Sequence, residues 1–288
     1  MIIDGKEIAA EIQKTVREKI LNLKKRKVGL AFLLVGSHPA SQSYVRGKQK
    51  ACVATGIEST LVELPEDTSQ KELLKQIDKL NQNDAIDGIL VQLPLPPQID
   101  PKIITSAIDP EKDVDGFHPM NVGKMLLGEE GGFLPCTPHG IQVMLEKSHT
   151  PVEGKHVVIL GRSNLVGKPL AAILMQKRKG CNATVTVAHG KSEKLPEITR
   201  SADILVAAIG QPRLITADMV KPGAVVIDVG INRLDNGKLV GDVDFETVKQ
   251  KASKITPVPG GVGPMTIAML LQNTLWSHLK RYEPIPLF

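Results

Sequence analysis

Short runs of continuous apolar residues alternate along this chain with amphipathic stretches of helical period. In the first half, a segment with helical spacing at 6–25 precedes an apolar run at 28–35, and a second such segment at 69–82 lies between apolar runs at 60–64 and 88–93. Continuous apolar runs are typical of strands buried on both faces of a sheet. Strands that alternate with helices predict β-α-β crossovers, so the expected fold class is α/β with parallel sheets.

The second half repeats this alternation. Strands are predicted over residues 156–160, 183–188, 203–208 and 225–230, with a helix over 167–179 and a hairpin turn at 235–238. A strand, a glycine-bearing turn and a helix, in that order, form a dinucleotide site, so this half is predicted to be Rossmann-like. The glycines at 161 and 167 depart from the usual Gly-x-Gly-x-x-Gly spacing, and this stretch alone leaves nucleotide binding open.

The border between the halves carries several glycines over residues 120–136, which predicts a loop. A helix over 138–148 should follow, with Thr137 as its N-cap. A final helix over 265–280, begun by Pro264, is expected to return to the first domain. We therefore predict a first domain formed by residues 1–122 plus 265–288 and a second formed by 138–264, with the active site in the cleft between them.

Composition limits the possible functions. Apolar residues make up 42% and charged residues 23%, as in ordinary globular proteins, and the 3% of aromatic residues implies an aliphatic core. The net charge of +5 favours anionic ligands but is too small to indicate nucleic acid, and no recognition motif accompanies it. The basic run at 24–27 is interpreted as a solvated helix end.

Location and metal content are predicted from what the sequence lacks. There is no apolar run of membrane-spanning length and no signal-peptide pattern, so no membrane partner and a cytoplasmic location are expected. The three cysteines are far apart, which suggests neither a disulfide framework nor a zinc site. The seven histidines show no metal-ligand spacing, and no metal is predicted.

One helix combines an aromatic ring with a titratable amine. Tyr44 and Lys48 stand four residues apart, so a helix places them on one face, one turn apart. Ser41 is the candidate N-cap of this helix and Gly56 the candidate residue that ends it. An isolated pair of this kind is most often a solvated helix surface, so its importance depends on the rest of the chain.

Two further polar positions accompany apolar strands. Gln92 is a polar residue at the end of an apolar run, and its amide requires partners, which could be ligand or neighbouring backbone. Asp113 and Asp115 stand in a Gly/Pro-rich stretch, where Asp115-Gly is a turn signal. Two acids held in such a loop can also recognise a ligand with adjacent N–H donors, since a carboxylate binds such a pair by two parallel hydrogen bonds. Ligands of open α/β sheets bind at the carboxyl ends of strands, where Gln92 lies.

Five motifs in order resemble one known family. The motifs are Tyr44-x-x-x-Lys48, Val91-Gln-Leu-Pro-Leu-Pro96, Lys112-Asp-Val-Asp-Gly-Phe-His-Pro119, Gly161-Arg-Ser-Asn-Leu-Val-Gly167 and Pro259-Gly-Gly-Val-Gly-Pro-Met-Thr266. Together they span nearly the whole chain, and the chain resembles bifunctional methylenetetrahydrofolate dehydrogenase/methenyltetrahydrofolate cyclohydrolases. The resemblance implies oxidation of 5,10-methylenetetrahydrofolate and then hydrolysis to 10-formyltetrahydrofolate. It also implies a homodimer and tetrahydrofolate substrates that can be polyglutamylated.

The resemblance assigns roles on the folate side. Tyr44 would stack on the pterin and aminobenzoate rings, Lys48 would be the catalytic amine, and Gln92 would hydrogen-bond to that amine. Asp115 would anchor the pterin ring, and Tyr44, Lys48, Gln92 and Asp115 form the expected catalytic set. The remaining substrate contacts are expected from Val91, Leu93, Pro259, Gly260 and Gly261.

The cofactor implied by the resemblance is a nicotinamide dinucleotide, and the residues favour NADP. After the strand at 183–188, an NAD enzyme would normally place an acid to hold the ribose hydroxyl groups. This chain instead offers His189 and Lys191, which with Arg162 could accept a 2′-phosphate. Gly190 stands where the family often has serine. The expected cofactor-binding residues are Gly161, Arg162, Ser163, Val166, Gly167, His189, Gly190, Lys191, Gly210 and Ile231.

The expected mechanism divides the two reactions between different groups. Loss of a hydride from a carbon between two nitrogens gives a delocalised cation, so the oxidation requires positioned rings rather than acid–base residues. The hydrolysis requires proton transfer, which Lys48 can perform when neutral. A cationic substrate and partial burial would both lower the pKa of Lys48.

Three other functions share some of these features. Short-chain dehydrogenases also use Tyr-x-x-x-Lys, but their nucleotide motif precedes that pair, whereas here it follows. Amino-acid and shikimate-type dehydrogenases share the two-domain α/β plan. A regulatory protein that binds NADP without turnover would not need Tyr44, Lys48, Gln92 and Asp115 together.

Overall fold

The structure is a computed structural model that describes residues 1–24 and 26–282. The chain divides into two compact units. The first, here called the three-stranded unit, comprises Glu11–Lys124, Glu129–Leu134 and residues 267–282. The second, here called the five-stranded unit, comprises Met1–Ala10, Met125–Gly128 and Pro135–Thr266. Within the described residues, no helix is both long enough and apolar enough to cross a membrane.

The first part of the chain alternates helices with strands, as its apolar pattern predicts. Its elements are α1 (Gly5–Leu21), β1 (Gly29–Val35), α2 (Pro39–Thr55), β2 (Glu58–Leu64), α3 (Gln70–Asn81), β3 (Gly88–Val91), α4 (Pro101–Ala107) and α5 (Pro119–Leu127). The strands form a parallel sheet in the order β2-β1-β3. All residues of β1 and β3 are buried, which explains their continuous apolar sequences.

One side of this sheet packs against α3. The N-cap residue Ser69 accepts a hydrogen bond from the backbone N–H of Glu72, and Leu73 and Ile77 point into the core. They belong to one buried apolar cluster with residues from β1 and β3 such as Ala31 and Ile89. The amphipathic pattern of this helix therefore covers the apolar strands, and their carboxyl ends remain at one edge.

The second part of the chain continues the alternation with shorter connections. Its elements are α6 (Cys136–Lys147), β4 (His156–Leu160), α7 (Gly167–Leu174), β5 (Thr184–Ala188), α8 (Leu195–Arg200), β6 (Ile204–Ala207), the 3₁₀ turn Ala217–Met219, β7 (Val225–Asp228), β8 (Asn232–Arg233), β9 (Leu239–Val240), α9 (Phe245–Val248), β10 (Lys254–Ile255) and α10 (Val262–Tyr282). Five parallel strands lie in the order β10-β7-β6-β4-β5, and β8 and β9 form the expected hairpin. The predicted α/β class with parallel sheets is confirmed.

The predicted starts of three helices are wrong. Helix α2 begins at Pro39 after His38, so Ser41 lies inside the helix and is not its N-cap. Helix α6 begins at Cys136 with Pro135 at the cap position, in place of Thr137. Helix α10 begins at Val262, two residues before Pro264. In α2, proline occupies the first turn, where its missing N–H costs nothing, so the helix extends back to include it. Gly56 ends α2 in the left-handed conformation, as predicted.

Two other local predictions also fail. Residues 119–127 form α5 inside the predicted border loop, because burial of Met125 outweighs the helix-weakening effect of Gly123. Helix α1 ends at Leu21, and Arg26 is not a solvated helix end: its guanidinium forms two hydrogen bonds with the buried carboxylate of Asp87, at 2.6 and 3.0 Å. Lys25 lies outside the described residues, as do residues 283–288 of the predicted first domain.

Candidate active site

The amine of Lys48 meets the amide of Gln92 inside the three-stranded unit. Helix α2 follows β1, and Gln92 follows β3, the neighbouring parallel strand, in which Val91 pairs with Leu33. The backbone N–H of Gln92 continues the ladder by donating to the carbonyl of Leu33 at 2.9 Å. The register therefore places the Gln92 side chain at the carboxyl edge of the sheet, beside the helix that leaves β1.

The contact itself is direct and shielded. The Lys48 ammonium donates to Oε1 of Gln92 at 3.0 Å, and Nε2 of Gln92 donates to the carbonyl of Leu93 at 2.6 Å. Lys48 is only 9% exposed. The second bond fixes which end of the amide faces the amine, so a neutral acceptor is presented to Lys48. Leu93 precedes Pro94 through a cis peptide bond.

Tyr44 lies one helical turn before Lys48 on α2, and it is 44% exposed. An aromatic ring that is half open to solvent provides a face on which a planar ligand can stack. The structure thus keeps the two residues on one helix, as their spacing predicts. The amine is buried, whereas the ring remains accessible.

Asp115 lies on a segment that runs beside β3. Asp113 forms a parallel bridge with Ile89, and the N–H of Ile89 donates to the carbonyl of Lys112 at 2.8 Å. Asn273 of α10 donates to the carbonyl of Val114 at 2.9 Å, which holds the residue just before Asp115. Asp115 is half-buried at this edge. Its backbone is therefore fixed from two sides.

Two buried residues of this segment, Lys112 and Asp113, lie outside the set of predicted site residues. Lys112 is 2% exposed, and its ammonium donates to three carbonyls at the end of α3, those of Leu80, Asn81 and Asn83. Asp113 accepts from the N–H of His118 at 2.7 Å and from the Asn121 amide at 2.9 Å. The signal available in the sequence was a lysine and an aspartate flanked by apolar and turn residues, which is weak without the fold.

Burial gives Asp113 an unusual titration. Desolvation raises the pKa of Asp113 to about 7, although its hydrogen bonds from Asn121 and His118 act in the opposite direction. Most carboxyl groups are ionised well below this pH. The loop that carries Asp115 is therefore built around a carboxyl group that titrates near neutral pH.

In the five-stranded unit, the predicted cofactor residues follow strands whose ends are aligned. The register pairs Leu160 with both Ala188 and Ala207, and Ala207 with Asp228. The residues that follow these strands, including Gly161, His189, Gly210 and Ile231, therefore belong to loops at the carboxyl edge of one sheet. This is the edge at which α/β sheets bind dinucleotides.

The turn after β4 depends on its glycines. Gly161 has φ +128°, and a Cβ there would lie 2.1 Å from the carbonyl oxygen of Ala208. A Cβ on Gly167 would lie 2.0 Å from the carbonyl oxygen of Gly161. The two glycines thus allow β4, the start of α7 and the end of β6 to approach closely. Ser163 supports this turn by accepting from the N–H of Val166 at 3.1 Å.

The residues predicted to bind the 2′-phosphate follow the ends of β4 and β5. Arg162, Gly190 and Lys191 are exposed, and His189 is half-buried. The backbone N–H of Lys191 donates to Nδ1 of His189 at 3.2 Å, so the neutral ring carries its proton on Nε2. Two exposed cations and a ring N–H are thus available at this edge for an anion.

The remaining predicted substrate residues lie in the turn before α10. Pro259 is exposed and follows a cis peptide bond, whereas Gly260 and Gly261 are buried. A Cβ on Gly261 would lie 2.6 Å from the carbonyl oxygen of Pro257, and one on Gly5 would lie 1.8 Å from the carbonyl oxygen of Gly261. The glycines therefore allow two backbone segments of the five-stranded unit to touch.

Fold and site together define a class: an α/β enzyme with a dinucleotide-binding parallel sheet in one unit and a shielded lysine–glutamine pair in the other. The chain belongs to the tetrahydrofolate dehydrogenase/cyclohydrolase family. Residues 3–115 match the model of its catalytic domain, and residues 135–282 match that of its NAD(P)-binding domain. The family resemblance drawn from the five motifs is confirmed, as is the enzyme class it implied.

Individual relatives agree along almost the whole chain. Bifunctional protein FolD of Protochlamydia amoebophila is 59% identical over 97% of this chain and 98% of its own length. The crystal structure of the bifunctional FolD methylenetetrahydrofolate dehydrogenase/cyclohydrolase from Campylobacter jejuni is 51% identical, with a TM-score of 0.95 over 98% of this chain and 99% of that one. The Trypanosoma brucei enzyme, crystallised with NADP and an inhibitor, is 41% identical, with a TM-score of 0.92 over 99% of both chains.

Proposed function

We propose that this protein oxidises 5,10-methylenetetrahydrofolate to 5,10-methenyltetrahydrofolate with NADP and then hydrolyses that product to 10-formyltetrahydrofolate. Membership of the family supports both activities. The observation that carries the proposal is the hydrogen bond between Lys48 and Gln92, which holds a buried amine at the carboxyl edge of the sheet. Such an amine suits proton transfer in the second reaction and is not needed as a base in the first.

The oxidation moves a hydride from the methylene carbon of the folate to the nicotinamide ring. The carbon lies between two nitrogens, whose lone pairs delocalise the positive charge that remains. No substrate proton has to leave, so the protein contributes by binding and orienting the two rings. Tyr44 stacks on the folate, and Asp115 receives hydrogen bonds from the pterin, while Val91, Leu93 and residues 259–261 complete the substrate contacts.

The hydrolysis needs the amine. Lys48 in its neutral form accepts a proton from water as the water oxygen bonds to the cationic carbon. The resulting ammonium returns the proton to N5 as the bond between that carbon and N5 breaks. The hydroxyl group of the adduct loses its own proton to solvent water as its oxygen becomes the formyl carbonyl on N10, so the net reaction releases one proton. The amide of Gln92 orients the amine without adding a negative charge, so it favours the protonated state of Lys48 less than a carboxylate would.

The cofactor is NADP. The glycine turn after β4 accommodates the pyrophosphate, and the loops containing Gly210 and Ile231 border the nicotinamide. Arg162, His189 and Lys191 bind the 2′-phosphate, and the absence of an acid at the end of β5 removes the usual partner of the NAD ribose. In this assignment residues 1–122 plus 265–288 bind the folate and residues 138–264 bind NADP.

Three further expectations stay predictions. They are the homodimer, the use of polyglutamylated folates and the cytoplasmic location. The first can be measured by light scattering of the purified protein, and the second by comparing KM values for folates with one and several glutamates.

A coupled assay tests the function. Purified protein is given methylenetetrahydrofolate with NADP, and the absorbance of NADPH is followed while 10-formyl product is separated by chromatography. Both should appear, and methenyltetrahydrofolate alone should be hydrolysed without nucleotide. NADPH without 10-formyl product above the uncatalysed rate would refute the hydrolase assignment, and a lower KM for NAD than for NADP would refute the cofactor assignment.

A further inference from the structure

Two buried carboxylates lie side by side at the end of the five-stranded sheet, and the reactions proposed above use neither. Asp228 is the last residue of β7 and is 3% exposed, and Asp242 follows β9 and is 0% exposed. The side-chain contacts of both residues are hydrogen bonds that the carboxylates accept. Burying two neighbouring acids opposes folding, so such a pair requires an explanation other than stability.

Asp228 holds the backbone of Asp242. Its Oδ1 accepts from the N–H groups of Gly230 and Asp242 at 3.0 and 2.9 Å, and its Oδ2 accepts from the N–H of Val243 at 3.0 Å. A Cβ on Gly241 would lie 1.8 Å from Oδ2 of Asp228, so only glycine fits there. Burial raises the pKa of Asp228 to about 6, and the Asp242 carboxylate acts in the same direction, against the three backbone bonds.

Asp242 in turn joins two loops. Its Oδ2 accepts from the backbone N–H groups of Ile209 and Gly210 at 2.7 and 2.9 Å, and its Oδ1 accepts from the Asn232 amide at 2.9 Å. The loop after β6 and the segment after Ile231 are thus tied to one carboxylate. A Cβ on Gly230 would lie 2.4 Å from Oδ1 of Asp242, so this glycine is also required by the carboxylate.

These two loops are the ones assigned to the nicotinamide. Gly210 donates directly to Asp242, and Asn232 is the neighbour of Ile231. Arg162, His189 and Lys191, by contrast, belong to the turns after β4 and β5. Among the described residues, the Asp242 side chain bonds to Ile209, Gly210 and Asn232, which lie in other loops. The carboxylate therefore acts on one half of the cofactor site.

We propose that Asp242 is a positioning residue that sets the geometry of the nicotinamide half of the NADP site, through Gly210 on one side and Asn232 on the other. The inference rests on the proposed function, because the nicotinamide assignment does. Asp242 touches neither reacting atom and takes no proton. It should therefore matter for the oxidation, which uses the nicotinamide, and not for the hydrolysis of methenyltetrahydrofolate, which does not.

The test uses an isosteric variant and its reciprocal partner. Asp242→Asn turns an N–H₂ group toward N–H donors on one side, so it loses the bonds to the 209–210 loop or the bond to Asn232. The double variant Asp242→Asn with Asn232→Asp restores them: the amide oxygen accepts from Ile209 and Gly210, and the amide nitrogen donates to the new carboxylate. Asn232→Ala removes only the hydrogen bond between Asp242 and the segment after Ile231, and it leaves the Asp228 and Asp242 side chains in place.

Three measurements are made on each full-length variant. They are kcat and KM of the dehydrogenase, hydrolysis of methenyltetrahydrofolate without nucleotide, and Kd values for NADPH and for 2′-phospho-ADP-ribose, which lacks the nicotinamide. For Asp242→Asn we expect kcat/KM for NADP to fall about 10-fold or more, as for loss of a hydrogen bond to a charged group. Hydrolysis and the Kd for 2′-phospho-ADP-ribose should change less than about twofold. Asn232→Ala should show the same pattern with a smaller loss, and the double variant should recover most of the loss.

Each outcome decides the matter. If both activities fall in parallel, or both nucleotides weaken equally, Asp242 is structural and the inference is wrong. If Asp242→Asn does not fold, Asn232→Ala and the double variant still allow the two activities to be compared. Dehydrogenase and hydrolase activities that fall by the same factor in these variants would also refute the inference. A wild-type protein without dehydrogenase activity would instead refute the proposed function, before any variant is compared.

Discussion

The ammonium of Lys48 donates to Oε1 of Gln92 at 3.0 Å, across 44 residues of sequence. This acceptor is an amide and not a carboxylate, so the contact orients the amine without placing a full negative charge beside it. The second amide bond, from Nε2 of Gln92 to the carbonyl of Leu93, prevents the amide from turning its nitrogen toward Lys48. The geometry of this pair leads to the first two predictions.

Replacing the amine should abolish the hydrolysis. In Lys48→Met the side chain keeps its approximate length and loses its proton acceptor, so we expect the cyclohydrolase kcat to fall at least about 100-fold. Dehydrogenase activity should fall less. The exposed Lys50 on the same helix provides a control, because Lys50→Met makes the same chemical change away from Gln92. Wild-type hydrolysis by Lys48→Met would contradict the assignment.

Charging the amide should move the pH dependence of the hydrolysis. In Gln92→Glu a carboxylate faces the amine, which raises the pKa of Lys48 relative to the wild type. Because the neutral amine is the active form, the rising limb of the pH–rate profile should shift to higher pH. Gln272→Glu, on an exposed surface of α10, should leave the profile unchanged. An unshifted profile in Gln92→Glu would exclude Lys48 as the titrating base.

Tyr44 should contribute to folate binding and little to stability. The ring is 44% exposed, so Tyr44→Ala should leave Tm nearly unchanged. Loss of a stacking face costs about 1–3 kcal/mol, which corresponds to a roughly 5- to 160-fold rise in KM for the folate. Tyr44→Phe retains the ring and should bind like the wild type. Equal KM values for all three proteins would argue against stacking.

The choice between NADP and NAD should depend on Arg162. Arg162→Ala should raise the KM for NADP about 10-fold or more, because a charge-assisted contact with the 2′-phosphate is lost. The KM for NAD, which lacks that phosphate, should stay within about twofold. Arg178→Ala removes another exposed guanidinium of the same unit and should alter neither value. A parallel rise for both cofactors in Arg162→Ala would place this side chain elsewhere in the site.

Asp113 should make stability depend on pH. The pKa of Asp113 is raised from 3.8 to about 7, mainly by burial, so between these values the folded state holds a proton that the unfolded state has released. The contribution of this group to the unfolding free energy therefore falls as pH rises toward 7. Asp113→Asn cannot titrate, so its stability relative to the wild type should increase from pH 5 to pH 8, by about 3 kcal/mol at 1.4 kcal/mol per pKa unit.

Denaturant titrations at several pH values measure this difference. Asp115→Asn, two residues away in the same loop, controls for replacing a loop carboxyl group by an amide. A stability difference between Asp113→Asn and the wild type that is flat from pH 5 to pH 8 would show that the carboxyl group titrates normally.

The sequence-based predictions fail at helix boundaries and at Arg26. Ser41 and Thr137 are good N-cap residues, yet α2 already begins at Pro39 and α6 at Cys136. Gly123 and its neighbouring glycines suggest a loop, yet Met125 is buried in a helix. Local preferences of a few tenths to 1 kcal/mol decide such positions only when packing does not. Arg26 was misjudged for the same reason, since its partner Asp87 is 61 residues away.

The amino-acid sequence by itself determined the parallel α/β class, the strand positions, the hairpin and the family, because apolar periodicity and motif order are properties of the chain read in one dimension. Only the tertiary structure decided that Lys48 is shielded against Gln92, that Asp113 is buried and that Asp242 joins the loops at Gly210 and Asn232. These contacts connect residues that are distant along the chain, and strand register, helix packing and desolvation, which create them, exist only once the chain has folded.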